Sequence, residues 1–335
     1  MIETIGISIL WVFLYGYLII GSIDFGAGFY SYYAKVTNKK HTIRQVIDRY
    51  LSPVWEVTNV FLVFFMIGLV GFFPASAFYF GTALLVPGSI ALVLLAIRGS
   101  FYAFANYGAR ESNVYLFLYG ITGLLIPAAL STVLTISEGG FITVDDSNVQ
   151  LLLGELFVSP YSWIVVMLAI VSVLFISASF LTYYANVAKD KDAFELMRKF
   201  SLIWGGPTIF LSFLVFLTLS THNPEHFQAM VEEGWLFVLS LLAFLAAILC
   251  IYKRKFMGIA FLLVCFQYGF AFFGYGYTHL PYILYPHITI YENVTSPEMG
   301  ISLILAFLAG LLLLVPSLFL LMRLFIFNAE YARGR

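Results

Sequence analysis

The chain has 335 residues, of which 61% are hydrophobic, 19% aromatic and only 10% charged, with a net charge of −1. No soluble core can absorb that much apolar surface, so the composition is that of a polytopic membrane protein and argues against nucleic acid as a partner. The near-zero net charge conceals a segregation of sign along the chain.

Read in order, nine apolar blocks are each long enough, or nearly so, to cross a hydrocarbon core of about 30 Å as a helix of ~20 residues. They cover residues 5–33, 54–73, 76–97, 114–136, 161–185, 200–219, 235–251, 256–277 and 300–325. Helices satisfy their own backbone groups in lipid, and nothing here alternates with the two-residue period of a membrane barrel. The expected fold is therefore all-α, a single integral membrane domain over residues 1–335. If the blocks alternate in direction, all 17 Lys and Arg fall on one side. Lys35, Lys39, Lys40, Arg44 and Arg49 follow the first span; Arg98 and Arg110 the third; Lys189, Lys191, Arg198 and Lys199 the fifth. Lys253, Arg254 and Lys255 follow the seventh, and Arg323, Arg333 and Arg335 close the chain. The other side holds only acids: Glu3, Glu138, Asp145, Asp146, Glu155, Glu225, Glu232, Glu233, Glu292 and Glu298. Basic loops stay in the cytoplasm, which puts the N-terminus outside and the C-terminus inside. The start of the chain lacks a basic residue and its first apolar run is too long for a cleaved leader, so it is expected to remain as the first span.

Between spans one and two, Ile43, Val46, Ile47, Tyr50 and Leu51 recur at helical spacing opposite Arg44, Gln45, Asp48 and Arg49. That pattern predicts a short helix on the cytoplasmic surface. Pro74 predicts a tight outer turn that pairs spans two and three. Pro87, Pro127 and Gly205-Gly206-Pro207 mark candidate kinks. Spans one and five run in the same direction and each precedes a long basic loop, which predicts two four-helix units plus one extra helix.

A charge within a span costs about 2.5–3.5 kcal/mol, so each is a candidate for function. Asp24 near the inner end of span one, Glu56 at the start of span two and Arg98 at the end of span three share one depth. Asn59 lies one turn beyond Glu56, and Tyr17, Gly21, Asp24 and Gly28 share a helix face whose glycines admit a close neighbour. Carboxylates beside a guanidinium at that depth suit proton uptake. Other roles fit the same residues. Glu56 sits where a helix dipole favours any carboxylate, and Arg98 can snorkel to head groups or form a structural salt bridge with Asp24 or Glu56.

The five histidines, His41, His222, His226, His279 and His287, all fall in loops or at span ends, leaving no span imidazole for a haem or copper. His222 and His226 are four apart, but Pro224 between them weakens a metal-binding pair. Cys250, Cys265, Met66, Met167 and Met257 read as packing residues.

The stretch GSIDFGAG at 21–28, then Pro53-Val54-Trp55-Glu56-Val57-Thr58-Asn59-Val60, then Arg98 with Phe101-Tyr102, resembles subunit II of the cytochrome bd quinol oxidases. So do Gln267-Tyr268-Gly269-Phe270-Ala271-Phe272 and the turn from Tyr282 to Pro286. Two departures stand out: relatives often carry Asp at Glu56, which keeps the carboxylate, and Trp at Phe61, which bears on a family oxygen passage. The resemblance implies that this chain binds no cofactor itself. Subunit I would hold haems b and d and the quinol loop, and the pair would oxidise menaquinol or ubiquinol and reduce O2 to water with cytoplasmic protons. It further implies a bacterial cytoplasmic-membrane location, a role for Asp24, Glu56 and Arg98 at the mouth of a proton path, and contacts with lipid and quinone. A small single-span accessory subunit remains open. The competing reading is a stand-alone proton-coupled transporter, against which the chain offers no broken helix pair at mid-bilayer and few polar cavity residues.

Overall fold

A computed structural model describes residues 2–37, 47, 58–107, 113–145, 148–292 and 294–326. Helices dominate: α1 (Ile2–Val36), α2 (Thr58–Phe72), α3 (Pro74–Ala83), α4 (Leu85–Tyr107), α5 (Asn113–Ser137) and α6 (Leu153–Val158) in the first half. They continue as α7 (Pro160–Ala188), α8 (Lys191–His222), α9 (Pro224–Glu232), α10 (Gly234–Tyr252), α11 (Met257–His279) and α12 (Pro297–Leu321). Seven of these, α1, α5, α7, α8, α10, α11 and α12, are long and apolar enough to cross a membrane.

Helix boundaries follow local chemistry. Ser159, Asn223 and Ser296 each precede a proline at the first helical position, and each side chain accepts a backbone N–H of the first turn of α7, α9 and α12. Lys189 ends α7 in the left-handed region and Asp190 caps α8, so two residues turn the chain between them. Both α5 and α8 run without a break through Pro127 and Pro207, where kinks were open.

The span expected at 76–97 is instead a bent pair. The axes of α3 and α4 meet at 82° around Leu84. Pro87 explains the position, because it has no N–H to donate to the Ala83 carbonyl and its ring crowds that group. The flanking bonds, Leu84 N–H to Phe80 O and Gly88 N–H to Leu84 O, are intact at 2.7 Å each. The tight turn at Pro74 is present, with Phe73 alone between α2 and α3. The surface helix expected at 43–51 lies outside the described residues apart from Ile47, which is helical and buried.

Packing centres on α1, which touches α5, α7, α11 and α12, while α7 pairs with α8 and α10 with α11. Phe13 of α1 stacks on Phe64 of α2 at 5.0 Å between centroids and meets Phe307 of α12 edge-on at 5.6 Å. Two small antiparallel hairpins, β1 (Ile142–Asp145) with β2 (Asn148–Leu151) and β3 (Tyr282–Leu284) with β4 (Ile288–Thr289), cover the acidic end. Phe80, Ile136, Phe141 and Leu284 pack together beneath them. At the opposite end Arg254 and Arg198 both bind Glu195, so the two basic turns around residues 189–199 and 253–255 lie side by side.

Candidate functional site

Asp24 on α1 and Arg98 on α4 meet inside the bundle, each only 2% exposed. Arg98 Nε donates to Asp24 Oδ2 at 3.0 Å, one terminal nitrogen to the Asp24 carbonyl at 2.6 Å, and the other to the Tyr119 carbonyl of α5 at 2.8 Å. The Tyr119 hydroxyl donates to Asp24 Oδ1 at 3.2 Å, and its ring lies under the guanidinium, 4.1 Å from Cζ to centroid. One arginine thus ties three helices at one level. A buried ion pair offsets its desolvation only with good geometry and satisfied donors, and this one has both.

Glycines make the room. A Cβ at Gly28 would stand 2.6 Å from the Tyr119 carbonyl and 3.0 Å from Arg98, and one at Gly123 would strike the Phe25 carbonyl. Gly26 lets α7 approach, where the Ser177 hydroxyl donates to the Ile23 carbonyl at 2.9 Å. From Asp24 to Val36 the helix rises roughly 18 Å, which sets the pair inward of the basic turns. A guanidinium held on three sides is a fixed positive charge, and the anion it holds is the Asp24 carboxylate.

Of the four polar residues marked in the sequence, the structure brings Asp24 and Arg98 into contact. Asn59 lies half-buried on α2, and Glu56 lies outside the described residues. Arg98 does not snorkel to the surface; it turns inward. Tyr119, which supplies three of the contacts, was missed, because a tyrosine in an apolar span carries no distinguishing sequence signal.

His222 and His279 end α8 and α11 and His226 lies in α9 between spans, as expected, but burial was not foreseen. His226 and His279 are buried, at 5% and 7% exposure. Pro224 begins a new helix, so His222 and His226 diverge. His222 lies between Phe141 and Tyr161 with Nε2 3.1 Å from the Gly139 carbonyl, and His226 turns to Glu138. Glu138 is 2% exposed and is held inward by the turn at Gly139 and Gly140, whose φ values are +84° and +80°. Burial pushes the Glu138 carboxyl up. The contacts with the His226 ring and the His279 imidazole, and the Tyr275 hydroxyl, outweigh it and hold the group below its ordinary range.

Comparison with known proteins places these features in context. Residues 2–325 match the family model described as cytochrome bd terminal oxidase subunit II. The chain is 34% identical, over 98% of its own length and 97% of the relative's, to a Bacillus subtilis (strain 168) protein given provisionally as a cytochrome bd menaquinol oxidase subunit II. It is also similar to a chain in the structure of bd oxidase from Geobacillus thermodenitrificans, with a TM-score of 0.87 and 56% identity over 98% of this chain and 99% of that one.

Proposed function

This chain belongs to the family of cytochrome bd terminal oxidase subunit II, and on that premise we propose that it is the haem-free second subunit, which braces subunit I and contributes the cytoplasmic mouth of a proton path. It is a multi-pass bacterial membrane protein and the partner of subunit I in a quinol oxidase. In this reading subunit I holds haems b and d and oxidises quinol, while O2 is reduced to water there with protons drawn from the basic side. The chain alone is not catalytic. The transporter alternative finds no support.

The observation that carries the proton role is the Asp24–Arg98 pair, a charged group kept inside a span at a cost that packing alone would not require. Arg98 serves as the fixed cation, Asp24 as its anchor, and Tyr119 as the brace for both. Asn59 on α2, and Glu56 three residues before it in the sequence, form the station where protons exchange. The topology has nine spans, with α2 as the second and the bent α3–α4 pair as the third, the N-terminus outside and the C-terminus in the cytoplasm; the segregation of Lys and Arg supports it. Menaquinol is the proposed electron donor, following the name of the Bacillus subtilis relative. Lipid covers the outer faces of α10 and α12, where Leu242, Leu312 and Leu313 are exposed, and an accessory single-span subunit is a further candidate occupant.

The test is Glu56→Gln in the purified complex. Quinol-driven O2 consumption should slow while the haem spectrum is unchanged, and Glu56→Asp should be mild because it keeps the carboxylate. Full turnover in Glu56→Gln would remove Glu56 from the path and leave the helix-dipole role. Loss of haem together with activity would assign it to assembly instead. The chain purified alone should lack a Soret band.

A further inference from the structure

At the acidic end of the bundle, three side chains from distant parts of the sequence converge: Glu138 just past α5, His226 in the first turn of α9 and His279 at the end of α11. One donor atom from each lies within 4.8 Å of the other two. His226 Nδ1 stands 2.9 Å from Glu138 Oε1 and 3.0 Å from Oε2. His279 Nδ1 is 3.6 Å from Oε1, beyond a hydrogen bond, and its buried Nε2 has no hydrogen-bond partner.

Thr278 fixes the tautomer of His226. Its hydroxyl hydrogen goes to the α11 backbone, with the Gly274 carbonyl at 2.9 Å and that of Tyr275 at 3.1 Å. The Thr278 oxygen therefore accepts from His226 Nε2–H at 3.0 Å. His226 Nδ1 is thereby left facing both carboxylate oxygens, the ring nitrogen free to act as a ligand in that tautomer. That carboxylate already accepts from the Tyr275 hydroxyl and, at 2.9 Å, from Asn223 Nδ2. A nitrogen and a carboxylate oxygen at this distance are bridged by a shared cation, either a proton or a metal ion. A proton would serve His226 and Glu138 but leave the buried His279 Nδ1 beyond hydrogen-bonding distance of the carboxylate. Among the described residues no lysine or arginine pairs with Glu138, whose charged neighbours are His226 and His279.

We infer that Glu138, His226 and His279 form a binding site for a divalent transition-metal ion of the zinc class. Bonds of about 2.0–2.2 Å at the tetrahedral angle would put donors roughly 3.3 Å apart, and the two histidine nitrogens stand 2.9 and 3.6 Å from Oε1. Two imidazoles and one carboxylate suit zinc and not magnesium or calcium, which take oxygen ligands. Thr278 is the positioning residue that holds His226 in its ligating tautomer. The ion would clip the end of α5 to α9 and α11 and so fix the acidic surface of the subunit. The site is independent of the proton-path reading.

The test uses the purified oxidase complex, with haem iron as the internal standard. Chelator-treated enzyme is loaded with ZnCl2 and desalted, its zinc is counted by mass spectrometry, and zinc K-edge absorption reports the ligands. The wild type should retain about one zinc per complex that His226→Gln and His279→Gln lack, coordinated by two imidazoles and a carboxylate. Thr278→Val should weaken affinity roughly 10- to 100-fold. Equal zinc in the wild type and both histidine variants would place the ion elsewhere and overturn the site, as would no retained zinc in the wild type. Where a variant fails to assemble, the wild-type edge spectrum decides, and coordination without imidazole overturns the assignment.

Discussion

Replacing Arg98 with Met removes the guanidinium and keeps an unbranched stem of similar bulk. Three hydrogen bonds disappear, to Asp24 Oδ2, the Asp24 carbonyl and the Tyr119 carbonyl. The Asp24 carboxylate then loses this countercharge while remaining buried. Breaking such a pair from one side costs about 3–5 kcal/mol, which lowers the folded-to-unfolded ratio by roughly a hundredfold to several thousandfold at about 1.4 kcal/mol per decade. Asp24→Asn should cost a similar amount, since it strands the guanidinium instead. Arg98→Lys should not rescue, because an ammonium cannot span a carboxylate and two carbonyls with planar donors. The double variant Asp24→Asn with Arg98→Met should be less damaged than either single one, because no uncompensated charge remains. Yield and thermal midpoint of the assembled complex, followed through its haem absorbance, provide the assay. Single variants with the wild-type midpoint, or a double variant equal to the sum of the singles, would show that the two charges do not depend on each other.

The packing around that pair gives a second expectation: Gly28→Ala pushes a methyl against the Tyr119 carbonyl and Arg98, and should cost about 1–3 kcal/mol, read as a lower midpoint of the complex. A third concerns sidedness. Cysteine labelling should reach Lys39 and Lys253 positions only from the cytoplasm, and Asp145 and Glu232 positions only from outside; either residue of a pair on the wrong face would break the nine-span topology.

Much of the architecture was legible because membrane insertion obeys simple statistics of length and charge. The helices found at Pro160–Ala188 and Gly234–Tyr252 extend the blocks at 161–185 and 235–251 by a few residues at most. The span at 76–97 misled for a local reason: hydropathy is blind to direction, and Pro87 breaks the helix without altering its apolar character. Asp24 and Arg98 were legible individually because charge in an apolar run is conspicuous. Their direct contact depended on helix rotation and on glycine clearances that a single sequence does not report. Glu138, His226 and His279 were all assigned to the same face by the topology, which was the available signal. Their burial was hidden because segments between spans read as solvated loops, whereas α9 and the turn at Gly139 fold back into the bundle.

Arg98 reaches Asp24 across 74 residues of sequence, and that interval is also a waiting time during biogenesis. At a synthesis speed of about 5–20 residues per second, the aspartate is made roughly 4–15 s before its partner. During that interval the aspartate of α1 lacks its guanidinium partner. Its 35 residues measure about 52 Å, against a hydrocarbon thickness of about 30 Å, so the helix has slack to ride toward the basic surface with Asp24 among the head groups. Pairing with Arg98 on α4 would then draw the helix to its final depth. A ribosome-stalled chain ending before Arg98 should therefore show α1 displaced in depth-sensitive cysteine labelling at both of its ends, and a chain stalled well past α5 should not. The vertical position of the first helix is in this sense written by a residue translated later.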